Sequence, residues 1–201
     1  MSQINSVTVY CSSSSAIDPI YVNAGVELGH ALARNNWKLI YGGNNVGLMG
    51  KLADAVRAGG GKVVGITPQL FIDKGVHDML CDEFIVTACM RTRKAAMEDR
   101  GDAYIAMPGG LGTFEEIFEI IVGKQLAYHN KPIVLLNIHD YYAPSLRQIE
   151  QGIEQHFIKA AARKLFFVAD NVASAIEYIQ QYLPAKPEDK WFEKAVSAPA
   201  K

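Results

Sequence analysis

Cysteine is scarce in this chain. The three present, Cys11, Cys81 and Cys89, form no framework pattern, which argues against a disulfide-stapled secreted scaffold and fits a reducing cytoplasm. A charge excess is missing too: 20 Lys and Arg stand against 21 Asp and Glu, a formal net charge of −1. No basic run exceeds Arg93-Lys94 or Arg163-Lys164. A nucleic-acid surface needs a basic patch or stripe, so no nucleic-acid partner is expected, whereas a small anionic ligand needs only local positive charge. Long apolar runs are also lacking. The first, Val7 to Cys11, is too short for a signal-peptide core, and nothing approaches the roughly 20 apolar residues of a spanning helix, so no membrane is expected. His77, Cys81 and Cys89 fit no compact zinc spacing and no second close pair completes a ligand set; no metal is expected. The G-x-G-x-x-G fingerprint of a dinucleotide site is absent, because the first strand-to-helix turn carries serines.

What is present is an ordinary globular balance, 49% hydrophobic and 20% charged over 201 residues, enough for one domain with a sizeable core. Short apolar runs alternate with helical patterns. Val7–Cys11, Lys38–Tyr41, Val63–Thr67, Glu83–Thr87, Ala103–Met107, Pro132–Ile138 and Leu165–Val168 read as strands. Between them, helices are expected from Pro19 behind an Asp18 cap, over Leu48–Ala58, Met90–Arg100, from Thr113 or Phe114 onward, and near Ser145–Gln155 and Val172–Tyr182. Strands apolar throughout and alternating with helices predict a parallel sheet covered on both faces. The fold class is therefore α/β, a single doubly wound Rossmann-like domain over residues 1–183, with its site at the carboxyl ends of the strands. A Pro-, Ala- and Lys-rich tail, 184–201, follows, in which Trp191 and Phe192 could dock a short helix. Residues 69–82 form the longest unpatterned stretch, a candidate lid or an ordinary surface loop.

Three Gly- or Ser-rich turns follow three of the strands: Cys11–Ser15, Tyr41–Gly50 and Met107–Thr113. Glycines let successive N–H groups converge on one anion, and a helix beginning directly after the third turn adds unpaired N–H groups and its dipole. Thr113 is placed to cap that helix or to donate to a phosphate. Glu115, Glu116 and Glu119 come next, where a carboxylate is awkward beside a phosphate. Arg93 and Lys94 sit early in a helix, where a cation opposes the dipole. Misplaced signs of this kind mark functional sites. An arginine fork can hold phosphate or ribose oxygens, and a carboxylate can stabilise an oxocarbenium ion and orient water.

These residues carry a resemblance. Pro108-Gly109-Gly110-Leu111-Gly112-Thr113-Phe114-Glu115-Glu116 spells P-G-G-x-G-T-x-x-E, Met90-Arg91-Thr92-Arg93-Lys94 spells M-x-x-R-K, and Gly42–Gly50 looks like G-G-x-x-x-G-L-M-G. Together they resemble the LOG ("Lonely Guy") family of cytokinin riboside 5′-monophosphate phosphoribohydrolases over about Val7–Tyr182. The resemblance implies a Rossmann-like homodimer without cofactor or metal, Arg93 and Glu116 as catalytic pair, and nucleotide contacts from Lys94, Gly109, Gly110, Leu111, Gly112, Thr113 and Glu115, with Gly43 and Met90 beside them. It implies AMP or N6-modified adenosine monophosphates as substrates. Four departures stand out: Ser12 and Asn44 where members often have glycine, Val122-Gly123 where plant members have Thr-Trp, and Leu70 in the place of an acidic residue. They are expected near the base and ribose end.

Two other functions fit parts of the pattern. A non-catalytic nucleotide-binding or signalling module would not need Glu116 near a phosphate. Lysine decarboxylation, a label such proteins often receive, requires pyridoxal phosphate on a Schiff-base lysine, for which the sequence offers no clear site.

Overall fold

The computed structural model describes residues 4–185; Trp191 and Phe192 lie outside the described residues. Seven strands, β1 (Ser6–Tyr10), β2 (Lys38–Tyr41), β3 (Val63–Pro68), β4 (Glu83–Thr87), β5 (Ala103–Ala106), β6 (Ile133–Leu136) and β7 (Phe167–Ala169), form one all-parallel sheet in the order β4-β3-β2-β1-β5-β6-β7. Helices α1 (Pro19–Arg34), α2 (Gly47–Ala58), α3 (Gln69–Asp73), α4 (Met90–Arg100), α5 (Leu111–Gln125), α6 (Ala143–Glu154) and α7 (Val172–Gln181) connect them.

Both faces of the sheet are apolar, which is why the strand sequences are continuous rather than alternating. One side chain in two points each way. Val7 and Val9 of β1, Ile105 of β5 and Leu136 of β6 meet α1, α2 and α7 through Leu28, Leu52 and Ile176. Tyr10, Tyr104, Ile133 and Leu135 face the other layer, where Met97 of α4 and Ile117 and Ile121 of α5 lie. Leu52 is fully buried in that first layer, so its truncation to alanine would cost about 2–5 kcal/mol. α1 starts where the sequence places it: the Asp18 carboxylate accepts from Ile20 N at 2.9 Å and Pro19 takes the first helical position, the two features that suit a helix start.

The topology fixes where a ligand can bind. From β1 the chain steps outward through β2 and β3 to β4, then returns to pair β5 on the other side of β1. The loops leaving β1 and β5 therefore diverge and open a crevice at the carboxyl edge. The helix after β5 begins earlier than its apolar period suggested, at Leu111 instead of Thr113 or Phe114, with Gly110 as its N-cap. The glycines break the apolar pattern without breaking the helix.

Candidate active site

A cavity of about 460 Å³ occupies this crevice. Its walls come from the loop after β1 (Cys11 to Ser14), Asn44 after β2, Met49 of α2, Phe71 of α3, Met90 and Arg93 of α4, and Gly110 to Thr113 with Glu116 of α5. The three Gly- or Ser-rich turns thus converge on one space.

Arg93 and Glu116 meet at its floor. Arg93 Nη1 donates to Glu116 Oε1 at 2.8 Å, and the two side chains are only 4% and 6% exposed. Arg93 Nε donates to the Ile66 carbonyl at 3.0 Å. Gly42 completes the seat: a Cβ there would lie 2.0 Å from Arg93 Nη2, so only glycine lets the guanidinium lie flat against the β2 loop. Two edges of the fork are therefore held by the protein itself, which narrows the expectation that Arg93 grips two phosphate or ribose oxygens. Its larger task is to hold Glu116. Burial pushes the Glu116 carboxyl above its ordinary value of 4.5, and the opposing pull of Arg93 does not fully cancel this.

The N-terminus of α5 forms another part of the wall. The N–H groups of Leu111, Gly112 and Thr113 belong to its first turn, where no intrahelical partner exists, and no acidic residue sits in that turn. Starting the helix at Leu111 moves Glu115 and Glu116 into its second turn, which relieves the conflict between carboxylate and phosphate. Thr113 packs over Gly109, where a Cβ would come within 2.1 Å of Thr113 Oγ1. The Gly109 carbonyl accepts from Tyr141 Oη at 2.5 Å, which fixes the loop from behind. Cys11 also lines the cavity, but burial, with Glu116 adding to it, raises its thiol far above the ordinary range, which works against a thiolate there.

The remaining expected residues take other places. Lys94 Nζ bonds Glu115 at 2.6 Å and Glu119 at 2.9 Å, and neither Lys94 nor Glu115 lines the cavity. Gly43 has φ +70° and accepts from Asp78 N at 2.8 Å; it shapes the loop from outside the lining. Met90 is in the wall. Of the four departures, Ser12 and Asn44 line the cavity. Val122 and Gly123 do not: they lie near the opposite end of α5, about 17 Å from Leu111 at 1.5 Å per residue. Leu70 points to solvent on α3. Sequence reasoning missed Met49 and Phe71. Met49 stood inside the second loop motif, whereas nothing local distinguishes Phe71.

The comparisons agree with this architecture. A family profile described as "Possible lysine decarboxylase" matches residues 49–179. The chain is 37% identical over 183 residues to cytokinin riboside 5′-monophosphate phosphoribohydrolase LOG2 of Arabidopsis thaliana, covering 91% of this chain and 86% of that one. It is 37% identical over 203 residues to LOG5 of the same plant, named for the same activity, covering 98% and 89%. Among solved structures, a molybdenum cofactor binding protein from Rippkaea orientalis superposes with a TM-score of 0.68 at 22% identity, over 90% of this chain and 98% of that one, and a Moco carrier protein from Chlamydomonas reinhardtii with 0.67 at 22%, over 89% and 97%. These two show a shared fold. The relatives and the profile together show that the chain belongs to the LOG family of cytokinin riboside 5′-monophosphate phosphoribohydrolases.

Proposed function

We propose that this protein hydrolyses the N-glycosidic bond of AMP or an N6-modified adenosine 5′-monophosphate, giving the free base and ribose 5-phosphate. The observation that carries the reading is the buried Arg93–Glu116 pair in the wall of a cavity whose other side is a helix N-terminus. The phosphate sits on the first-turn N–H groups of α5, with Gly110, Leu111, Gly112 and Thr113 around it. The sugar then lies over Glu116. As the bond from C1′ to the base nitrogen breaks, its electron pair leaves with the base and positive charge develops on the ribose. Glu116 stabilises that charge and takes a proton from the water that adds to C1′. Arg93 holds the carboxylate in place and favours its charged form. Lys94 and Glu115 act one layer out, tying α4 to α5.

Lysine decarboxylation, the chemistry in the profile's description, is not supported by the residues. It needs a Schiff-base lysine, and among the described residues no lysine lines the cavity. Burial lowers Lys124 to about 8, a value suited to imine chemistry, but it lies at the far end of α5 beside Tyr182.

The reading takes residues 1–183 as one domain with a tail at 184–201, in a reducing cytoplasm, without nucleic-acid or membrane partners. It also includes a homodimer. Phe118, Val122 and Leu126 leave an apolar stripe exposed along α5, and Phe118 and Val122, with Phe157, border a further groove of about 550 Å³ near α6. A second copy is the occupant the family suggests. The test of the activity is chromatography of AMP, N6-isopentenyl-AMP and adenosine after incubation with the protein. Both nucleotides should release base and adenosine should not, because the phosphate supplies the binding energy that orients the sugar. Equal hydrolysis of adenosine and AMP would falsify the phosphate assignment.

A further inference from the structure

Asn44 is buried, only 6% exposed, and lines the cavity, yet its Oδ1 has no hydrogen-bond partner among the described residues. A buried amide oxygen is costly to leave without a partner. The side chain is not used to shape its own loop, because backbone contacts do that. Asn44 bridges to His77, Asn45 N donates to Val76 O at 3.0 Å and Asp78 N donates to Gly43 O at 2.8 Å. A carboxamide held in a fixed frame, buried and unused, is suited to a ligand.

Strand order says which part of the ligand. The phosphate element follows β5 and Asn44 follows β2, two strand steps away across β1. At about 4.8 Å per step that is roughly 10 Å, the reach from a phosphate across the ribose to the base. Met49, Phe71 and Met90 belong to the elements on this side of the cavity and offer apolar surface to a ring. An asparagine carboxamide can pair with the 6-amino group and N7 of adenine at once, accepting from one and donating to the other. A 6-oxopurine presents two acceptors on that edge, so only one bond can form.

Resting on the phosphoribohydrolase reading, we infer that Asn44 recognises the 6-amino and N7 edge of an adenine base and so selects 6-aminopurine over 6-oxopurine nucleotides. A singly substituted 6-amino group keeps one N–H, so the contact is compatible with N6 modification.

The test compares AMP with IMP in the wild type, Asn44→Leu and the smaller Asn44→Ala. Wild type should prefer AMP. In both variants kcat/KM for AMP should fall about tenfold or more, in line with one lost bidentate contact, while IMP, which loses a single bond, should fall several-fold less, so that the AMP preference shrinks. The thermal midpoint without ligand should not fall in Asn44→Leu, which keeps the branched shape of the side chain, since no internal hydrogen bond of Oδ1 is removed. The stabilisation of each protein by AMP and by IMP is measured alongside. If the wild type hydrolyses neither nucleotide but is stabilised more by AMP, and Asn44→Ala abolishes that difference, the hydrolase reading fails and the adenine contact stands. Equal losses for AMP and IMP, a wild type indifferent to the base, or an undiminished AMP preference in both variants would overturn the inference.

Discussion

Arg93 and Glu116 are a charged pair kept almost out of water, and a pair of that kind contributes little net stability while costing several kcal/mol if one partner is lost. Its retention in a cavity wall is better explained by chemistry. Glu116→Gln keeps the size and the bond to Arg93 but removes the charge. Base release from AMP should drop at least about 100-fold, the scale of one lost preorganised electrostatic contact, with the far-UV circular dichroism spectrum unchanged; wild-type turnover would remove Glu116 from the reaction. The pH profile checks the same residue independently. Burial raises Glu116 above 4.5 and Arg93 lowers it, and the reaction needs the carboxylate ionised. The acid limb of kcat/KM should therefore lie above pH 4.5, and in Arg93→Gln, which lacks the lowering charge, it should move higher still; a limb that stays put in this variant contradicts the pairing. Arg93→Lys keeps the charge but not the two-edged seat between Glu116 and the Ile66 carbonyl, so its turnover should fall severely. Lys94→Arg, at a side chain tied to Glu115 and Glu119 away from the cavity, should be milder. Motif spacing made Arg93 and Glu116 legible in the sequence. The Ile66 carbonyl that seats Arg93 was not, because a backbone acceptor 27 positions away leaves no mark in local residue choice.

At the scale of elements, strands and long helices were readable because each carries an apolar period that must be buried. β2, β4 and α4 have the bounds expected of them, Lys38–Tyr41, Glu83–Thr87 and Met90–Arg100. α3 was not readable: it has five residues, none of them buried, so no period exists to detect. The stretch 69–82 divides into that short helix and an anchored return. Asp78, 2% exposed, accepts from Tyr41 Oη at 2.6 Å and from Arg57 Nη1 at 2.8 Å. This ties the second half of the stretch to β2 and α2, and of the stretch only α3, through Phe71, reaches the cavity wall. Burial works against ionisation of Asp78, but the bonds from Tyr41, Leu80 N and Arg57 outweigh it and hold the carboxyl below 3.8. A depressed acid contributes stability above its unfolded value and loses it as pH falls through its folded one. Asp78→Asn should thus cost about 1–3 kcal/mol near neutral pH by urea unfolding, and the gap to wild type should narrow below pH 3.8. A gap independent of pH would mean that the charge of Asp78 plays no part in holding the loop.

At the scale of the whole molecule, α5 links the cavity to the outer surface. Phe114, Ile117, Phe118, Ile121, Val122 and Leu126 recur at helical spacing as one apolar stripe wide enough to pack the sheet. It divides: Ile117, Ile120 and Ile121 are buried against β-strands, whereas Phe118, Val122 and Leu126 are 38%, 46% and 37% exposed. A sequence stripe records that residues are apolar, not which surface covers them, and here Phe118, Val122 and Leu126, spaced four apart, turn away from the sheet. Contiguous apolar surface of this kind marks an interaction site, and two-fold self-association buries the same patch on both copies. The proposed dimer places α5 at its centre, with one end of the helix carrying the phosphate element and Glu116. Val122 is remote from the cavity, so Val122→Glu tests assembly without touching the reacting groups. Two buried carboxylates facing across a two-fold contact would be costly. Light scattering at micromolar concentration should give a dimer for the wild type and a monomer for Val122→Glu. If the packing of α5 against its copy positions the site, AMP turnover should fall with the loss of dimer and recover partly at high protein concentration. A wild type that is monomeric and fully active at micromolar concentration would refute the dimer, and full activity in a monomeric Val122→Glu would separate assembly from catalysis.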